Sequence, residues 1–499
     1  MTGYSERLQD IKTRPQVAAP RSRYSTKPLP TLCVVYHPDA SMLGARCFIP
    51  AHQDLAFGRE LEFADVKGHS CFPLLDPYIS RELGAWVYSD GHLTLLRRAG
   101  ASNIQYQGRA LGLEARFELT EGYWHTLNCS NRLVLSIGLE IQTNDDLIPM
   151  DTIVGRNPRI VAMRSDIRRV AATDDDVLIT GPTGAGKEGV ATELHRFSQR
   201  RTGRLVAVNM AALPLELAAS ELFGAEKGAY TGANTAKQGY FRQTEGGTLF
   251  LDEIGDAAPE LQAQLLRALQ MREIQVLGGS TQNVDVRVVA ATEQSIQGDD
   301  ASLRAALYHR LSQQRIEVPP LGERLDDVGL LAHHYFHTRE NGPWAVEQDD
   351  SAIAAWCQVF VALMAYHWPG NVRELFAVLG QITLDDDYPV APEFTTKSHS
   401  DPVSVAESPS TKIEISDDVF LQLLEDCDYE VARLAQQLSM SRPSIYRRRD
   451  KLGVPKAKDY SALDVESALK AHGGDVTKTA KALRVSVAAL LRLHPELGA

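Results

Sequence analysis

No part of this chain constrains its fold more than Asp176–Glu188, DVLITGPTGAGKE. An apolar run of strand length is followed at once by a glycine-rich loop and then by residues of helical spacing. Gly181, Gly184 and Gly186 leave the backbone free to curl until its N–H groups face phosphate oxygens, while Lys187 adds a point charge and the helix its N-terminal dipole. Gly181, Pro182, Thr183, Gly184, Ala185, Gly186, Lys187 and Glu188 are therefore expected to cradle the phosphates of ATP. A strand–loop–helix unit of this kind demands a parallel sheet with helices packed on it. At one place the loop leaves the general rule, since Glu188 stands where a Ser or Thr hydroxyl would bind Mg2+.

Downstream, GTLFLDE ends in Asp252 and Glu253 at the tip of a buried strand, where open α/β sheets place their ligands. Asp252 is expected to hold Mg2+ and Glu253 to orient the attacking water, two tasks that phosphoryl transfer needs side by side. VRVVAATE adds a strand whose tip carries Thr292 and Glu293, expected to sense the γ-phosphate. The runs DVLIT, LVAVN, GTLFLDE and VRVVAAT alternate with helical stretches over residues 150–318, and a helical lid follows over 319–384.

The chain has 499 residues, long enough for several separate cores, and 44% hydrophobic with 23% charged residues is globular composition. Its formal charge of -12 excludes a protein that coats nucleic acid along its whole length, so any DNA contact must be local. Six cysteines without a CxxC pair suggest neither a zinc site nor a disulfide framework, and no apolar run reaches membrane-spanning length, so a cytoplasmic protein is expected. Residues 1–25 are polar and basic, as in a flexible arm. Residues 26–142 hold short strand-like runs between Gly, Asp and Ser turns, the pattern of a β-sandwich. Residues 385–417, rich in Pro, Ser, Thr and Asp, are expected to be a linker.

Everything after the linker is helical in pattern, and it contains a repeat. An offset of 45 superposes Val431 on Val476, Ala435 on Ala480, Leu438 on Leu483, Ser441 on Ser486, Arg447 on Arg492 and Gly453 on Gly498 without a gap. Two similar helical units, 418–456 and 460–499, are expected in tandem.

Taken together the central motifs resemble the AAA+ activators of sigma-54 RNA polymerase, the bacterial enhancer-binding proteins. The segment ELFGAEKGAYTGA is similar to that family's signature loop, with Gly228, Ala229, Tyr230, Thr231, Gly232 and Ala233 matching GAFTGA with Tyr for Phe. The resemblance implies that this loop contacts sigma-54. It also implies that Asn209 restrains the catalytic glutamate, that Arg304 and Arg310 reach the γ-phosphate of a neighbouring subunit, and that Arg373 is the sensor arginine of the lid. Arginines acting in trans require a ring, by resemblance a hexamer. Two positions depart from the family: Glu293 replaces the Asn of the first sensor, and Gly322 stands where Arg is usual. A carboxylate near γ-phosphate adds repulsion and is expected to slow hydrolysis or change its coupling.

At the ends, YEVARLAQQLSMSRPSIYRRRDKLGVP resembles a Fis-type helix-turn-helix for enhancer-like double-stranded DNA, with Arg442, Ser444 and Arg447 expected in the groove and Arg448 and Arg449 on phosphates. The second copy keeps the spacing but fills its second helix with Ala, Leu and Val, so packing or dimerisation is expected of it. The N-terminal region resembles a forkhead-associated (FHA) domain through Gly58, Arg59, Ser80, Arg81, Ser102, Asn103 and Gly108. That resemblance implies phosphothreonine binding by Arg59, Ser80, Arg81 and Asn103, although Leu83 replaces the family's His. The expected protein is multidomain: an FHA-like β-sandwich, an α/β AAA+ core with a helical lid, and an all-α helix-turn-helix tandem. Its expected work is ATP-driven remodelling of sigma-54 RNA polymerase. The rival readings are an AAA+ remodeller of another protein and a phosphopeptide and DNA scaffold with a weakened ATPase.

Overall fold

The computed structural model describes residues 27–64, 71–141, 150–229, 235–293, 303–337, 344, 349–382, 384–385, 388–394, 403–405, 417–429, 431, 434, 445, 448–449, 451–455, 460, 462–487 and 489–490. They pack into two compact units, dividing at about residue 406.

The first unit opens with twelve strands: β1 (Leu29–Tyr36), β2 (Arg46–Phe48), β3 (Asp54–Phe57), β4 (Glu62–Ala64), β5 (Cys71–Pro73), β6 (Gly84–Ser89), β7 (His92–Arg97), β8 (Ile104–Tyr106), β9 (Arg109–Ala110), β10 (Glu114–Glu118), β11 (His125–Cys129) and β12 (Leu133–Glu140). Local chemistry sets the register. Asp90 and Gly91 both take left-handed backbone between the paired residues Ser89 and His92, the two-residue turn whose twist matches that of the strands it joins. Gln107 and Gly108 do the same between Tyr106 and Arg109. One sheet runs β5-β4-β2-β1-β12-β11-β8-β9, and a smaller one includes β10-β7-β6-β3. Trp86, Phe57, Phe63 and Phe117 fill the space between them.

Strand β1 is buried on both faces. Leu32 and Val34 enter the sandwich core, whereas Val35 and Tyr36, with Val134 of β12, join a second cluster built by the helices after the central sheet. Its uninterrupted apolar run TLCVVY reflects that double burial.

Five further strands, β13 (Val177–Thr180), β14 (Leu205–Asn209), β15 (Thr248–Asp252), β18 (Arg287–Thr292) and β19 (Gln314–Glu317), form a parallel sheet in the order β14-β15-β18-β13-β19. A separate hairpin is made by β16 (Glu273–Gln275) and β17 (Thr281–Asn283). Alternate residues of the parallel sheet serve two cores: Leu178, Leu249, Leu251, Val288 and Ala290 lie in one, Val177, Ile179, Phe250, Val289 and Ala291 in the other. In register, Asn209 pairs with Asp252 and Thr180 with Thr292, so the carboxyl ends of these strands line up at one edge.

The lid follows as helices Val328–His337, Asp350–Met364 and Asn371–Gly380 around Trp356, Phe360 and Trp368. Residues expected to be a free linker depart from that expectation. Ala391 and Phe394 pack on the lid, and Val403–Val405 pairs antiparallel with β10, adding an edge strand to the sandwich. Short backbone ladders satisfy groups that an open linker would leave to water.

The second unit holds helices Asp417–Asp426, Ala462–Ala471 and Val476–Ala482 and two separate small cores. At the offset of 45, Phe420 of one core corresponds to Val465 of the other and Ile445 to Leu490. Backbone detail repeats as well: Tyr429 N donates to Leu424 O and Gly474 N to Leu469 O, each at 2.9 Å. Both helix ends turn on a left-handed pair, Asp428–Tyr429 in one and Gly473–Gly474 in the other.

Candidate nucleotide site and accessory surfaces

The phosphate-binding loop lies between β13 and helix Lys187–Arg196, with Gly184 (φ 74°) and Gly186 (φ 112°) in backbone that other residues rarely adopt. A Cβ added at Gly186 would meet nothing within 4 Å, whereas one at Gly184 would strike Gly370 O at 2.3 Å. The loop is therefore open on one side and closed by the lid on the other. Lys187 is 6% exposed. Its Nζ donates to Gly181 O at 3.1 Å and lies 3.3 Å from Glu253 Oε1.

Glu253 follows the tip of β15 in left-handed backbone, and Asp252 Oδ1 accepts its N–H. Burial pushes the Glu253 carboxyl above the ordinary range, with Asp252 and Glu293 adding to the rise and Lys187 opposing it. At the tip of β18, Thr292 O accepts from Gly181 N at 3.4 Å. The next residue folds onto the loop: Glu293 Oε2 accepts from Thr183 N at 3.1 Å and also from the Thr183 hydroxyl. The structure thus brings the glycine-rich loop, Asp252, Glu253, Thr292 and Glu293 together.

Asn209 makes no hydrogen bond to Glu253 among the described residues. Its side chain accepts from Ala211 N and Ala212 N, capping the turn that follows β14, and Glu253 is held by Lys187 instead. Arg373 sits on the lid with its guanidinium exposed, and its backbone N–H donates to Gly184 O at 3.3 Å. Neither Arg304 nor Arg310 is brought to this chain's own loop by any hydrogen bond. Arg304 stands just before helix Ala305–Leu311, and its guanidinium donates to Pro259 O. Arg310 is committed elsewhere, because Asp176 is nearly fully buried and needs a cation: Arg310 lies 3.3 Å and Arg272 3.2 Å from its carboxylate. Asp176 precedes β13, about 16 Å along the strand from Gly181, where the loop begins.

Two residues that sequence reasoning missed hold the loop from the lid. Asn371 Nδ2 donates to Thr183 O at 2.9 Å while its Oδ1 accepts from Leu321 N. Arg324, 3% exposed, donates to Ala185 O at 3.2 Å. For Asn371 a signal existed, since Pro-Gly-Asn before a helical run favours a left-handed entry, and its φ is 53°.

On the sandwich, the four expected phosphopeptide residues are neighbours. Arg59 N donates to Ser80 O, and Ser80 and Ser102 share hydroxyl and backbone hydrogen bonds at 2.7 to 2.9 Å. Asn103 follows Ser102 and is exposed, as is Arg81. Arg59 and Arg81 make no ion pair among the described residues. Leu83 is buried in the sandwich core, where a His could not keep a charge cheaply.

Tyr230, Thr231, Gly232 and Ala233, and likewise Arg442, Ser444 and Arg447, lie outside the described residues; Gly228 and Ala229 precede the former group. Arg448 and Arg449, expected on DNA phosphates, make contacts within their own helical unit. Arg448 pairs with Asp417 at 2.6 Å and lies over the Phe420 ring, and Arg449, 5% exposed, donates to Pro455 O. Both guanidiniums stabilise their own helical unit.

A buried-strand, glycine-loop and carboxylate assembly closed by a helical lid defines an ATPase of the AAA+ class. Residues 153–317 match the sigma-54 interaction domain and residues 322–390 the AAA+ ATPase lid domain. The transcriptional regulatory protein ZraR of Escherichia coli (strain K12) is 38% identical over 301 residues, 59% of this chain and 67% of that protein. The C4-dicarboxylate transport transcriptional regulatory protein DctD of Rhizobium meliloti (strain 1021) is 37% identical over 66% of this chain and 69% of its own length. The DNA-binding transcriptional regulator NtrC of a Bradyrhizobium strain is 45% identical, but the match spans about half of each, 46% of this chain and 47% of that one. A crystal structure of NtrX from Brucella abortus in complex with ATP covers 60% of this chain at 28% identity with a TM-score of 0.42. The chain belongs to the family of transcriptional regulators that carry a sigma-54 interaction domain. Among the described residues no helix is long and apolar enough to cross a membrane.

Proposed function

We propose that this ATPase is a transcription activator that assembles as a ring, presses the Tyr230 loop on sigma-54 RNA polymerase, and binds upstream DNA through its helical tail. The observation that carries the reading is the sigma-54 interaction domain over residues 153–317, which encloses the loop, Asp252 and Glu253 in one folding unit.

The residues suit ATP with Mg2+. Lys187 is a buried ammonium beside a loop that is open at Gly186, and Asp252 is a carboxylate at the same edge, enough for a cation that takes most of its ligands from phosphate and water. Bound there, the nucleotide supplies a terminal phosphoryl group whose transfer to water releases free energy. Lys187 neutralises phosphate charge, and Glu253 accepts the water's proton and orients its oxygen. Its 3.3 Å contact with Lys187 must lengthen when the ammonium turns to phosphate, which frees the carboxylate for that task. Arg373, exposed on the lid, is placed to follow lid movement. In a ring Arg304 is the better candidate to reach a neighbour's phosphate, because Arg310 would have to leave Asp176.

The FHA-like reading of the sandwich is supported by the unpaired guanidiniums of Arg59 and Arg81 beside the Ser80–Ser102 hydroxyl pair, a set that suits a phosphothreonine segment. Binding there would regulate the ATPase next to it. For the tail, the tandem helical repeat supports DNA binding, with Arg442, Ser444 and Arg447 as the contact residues proposed.

Tyr230→Ala tests the lever. It should leave ATP turnover within about twofold and abolish promoter opening by sigma-54 RNA polymerase, since the side chain contacts the partner rather than nucleotide. Unchanged promoter opening would remove the loop from the mechanism.

A further inference from the structure

Where the sandwich meets the ATPase, three parts of the chain share one buried cluster of charges. Arg46 of β2 holds Glu140 of β12 at 3.0 Å and pairs with Asp326, which lies in the short turn before lid helix Val328–His337. Asp326 Oδ1 accepts from Asn157 Nδ2 at 2.8 Å, and Asn157 caps the first helix of the ATPase core. Asp327 accepts from the backbone N–H groups of Arg156 and Asn157. Its carboxylate presses so closely on Gly155 (φ 140°) that a Cβ there would meet Asp327 Oδ2 at 2.4 Å. In the same turn Arg324 lies 3.9 Å from Asp327 and donates to Ala185 O inside the phosphate-binding loop. Asp326 and Asp327 are fully buried.

From this arrangement we infer that Arg46, a residue of the N-terminal sandwich, is a positioning residue for nucleotide binding: it neutralises Asp326 and so leaves Arg324 free to hold the phosphate-binding loop through Ala185 O.

The argument is one of charge within a dry cluster. Glu140, Asp326 and Asp327 lie with Arg46 and Arg324, and buried carboxylates keep their charge only beside cations. Without Arg46, the cation that shares the acids' own turn is Arg324, two residues before Asp326 and 3.9 Å from Asp327. Arg324 Nε and Asp327 Oδ2 are already buried without a hydrogen-bond partner among the described residues, so the guanidinium has an unused donor with which to turn toward the acids, and Asp327 an unused acceptor to receive it. That turn costs the hydrogen bond to Ala185 O. Asn371 would still hold Thr183 O, so the loop would loosen rather than collapse. By reciprocity, nucleotide that steadies the loop also steadies the seat of the sandwich on the lid.

The test uses the full chain and a fluorescent ADP. Arg46→Met is expected to weaken ADP binding by about three- to tenfold, the range over which residues in a coupled network shift a distant site. The double variant Arg46→Met/Asp326→Asn removes the charge orphaned in Arg324's own turn, leaving Glu140 as the one carboxylate that has lost its partner, and is expected to bind ADP within about twofold of the parent. Rescue of this kind is not expected of a residue that only stabilises the interface. Should Arg46→Met fail to fold, the double variant and Arg46→Lys remain. Arg46→Lys keeps one charge at the junction and should bind between parent and Met variant. Parent-like affinity in Arg46→Met with a lowered melting temperature would overturn the inference, as would a double variant that folds cooperatively and binds ADP as poorly as the single one.

Discussion

At the scale of single residues, the nucleotide site has more negative charge than its loop alone would suggest. Asp252, Glu253 and Glu293 gather beside one ammonium, and Glu293 occupies both donors of Thr183. Nucleotide entering the loop has to displace that carboxylate or tolerate its charge. Replacing it by the family residue, Glu293→Asn, is expected to tighten ATP binding by about threefold or more, an amount fit for an exposed charge-assisted hydrogen bond; an equilibrium titration would reveal it. Glu253 gives a second test with a definite sign. Its carboxyl is raised chiefly by burial, so on acidification the proton-accepting form is lost at a pH above the ordinary glutamate range, and turnover falls there. Glu293→Asn removes one of the charges that raise it and should move that acid limb downward. Lys187→Ala, by contrast, should lower ATP affinity by roughly tenfold or more, since it deletes the site's buried cation. The carboxylates and the lysine were legible in sequence because phosphate chemistry fixes their type and spacing. Arg324 and Arg46 were not, since their roles arise from pairings across 139 and 280 residues, which no local pattern encodes; for Asn371 the local pattern signals the left-handed turn but not its partner 188 residues away.

Elements were readable where one physical period dominated. Strands β13, β15 and β18, apolar on both faces, announced a covered parallel sheet, and the repeat offset in the tail predicted two similar units in tandem, where the described residues form two separate small cores. Within 385–417 the strand Val403–Val405 was not legible, because Pro- and Ser-rich composition reports low propensity, not the presence of an edge strand that accepts a partner. The burial of Arg449 was not legible, because clustered arginines look alike in sequence whether they face water or a core. The repeat also exposes a local cost: where the second unit has Gly473, the first places Asp428 in left-handed backbone at φ 54°. Asp428→Gly relieves that conformation and is expected to raise the stability of the tail by about 0.5 kcal/mol, measured by denaturant titration; a loss of 1 kcal/mol or more would contradict the strain reading.

Across the whole first unit, the sandwich is not a tethered appendage. Tyr36 stacks on Phe360 of the lid at 4.8 Å, Trp344 donates to His37 O, and Arg132 joins Asp76 of the sandwich to Asp350 of the lid. The loop carrying Ser80 and Arg81 also carries Asp76 and Tyr78, which reach Arg132 and Asp350, so a phosphopeptide bound at the former would bear on the lid through the latter. If phosphopeptide control operates, Tyr78→Phe should leave peptide affinity unchanged and diminish the peptide's effect on turnover.

The proposed mechanism converges on one contact. A photo-cross-linker at position 230, in rings assembled with a transition-state analogue of ATP hydrolysis, should capture sigma-54, and capture should fall away with ADP. Equal capture in both nucleotide states, or none in either, would contradict the account of an ATP-driven lever.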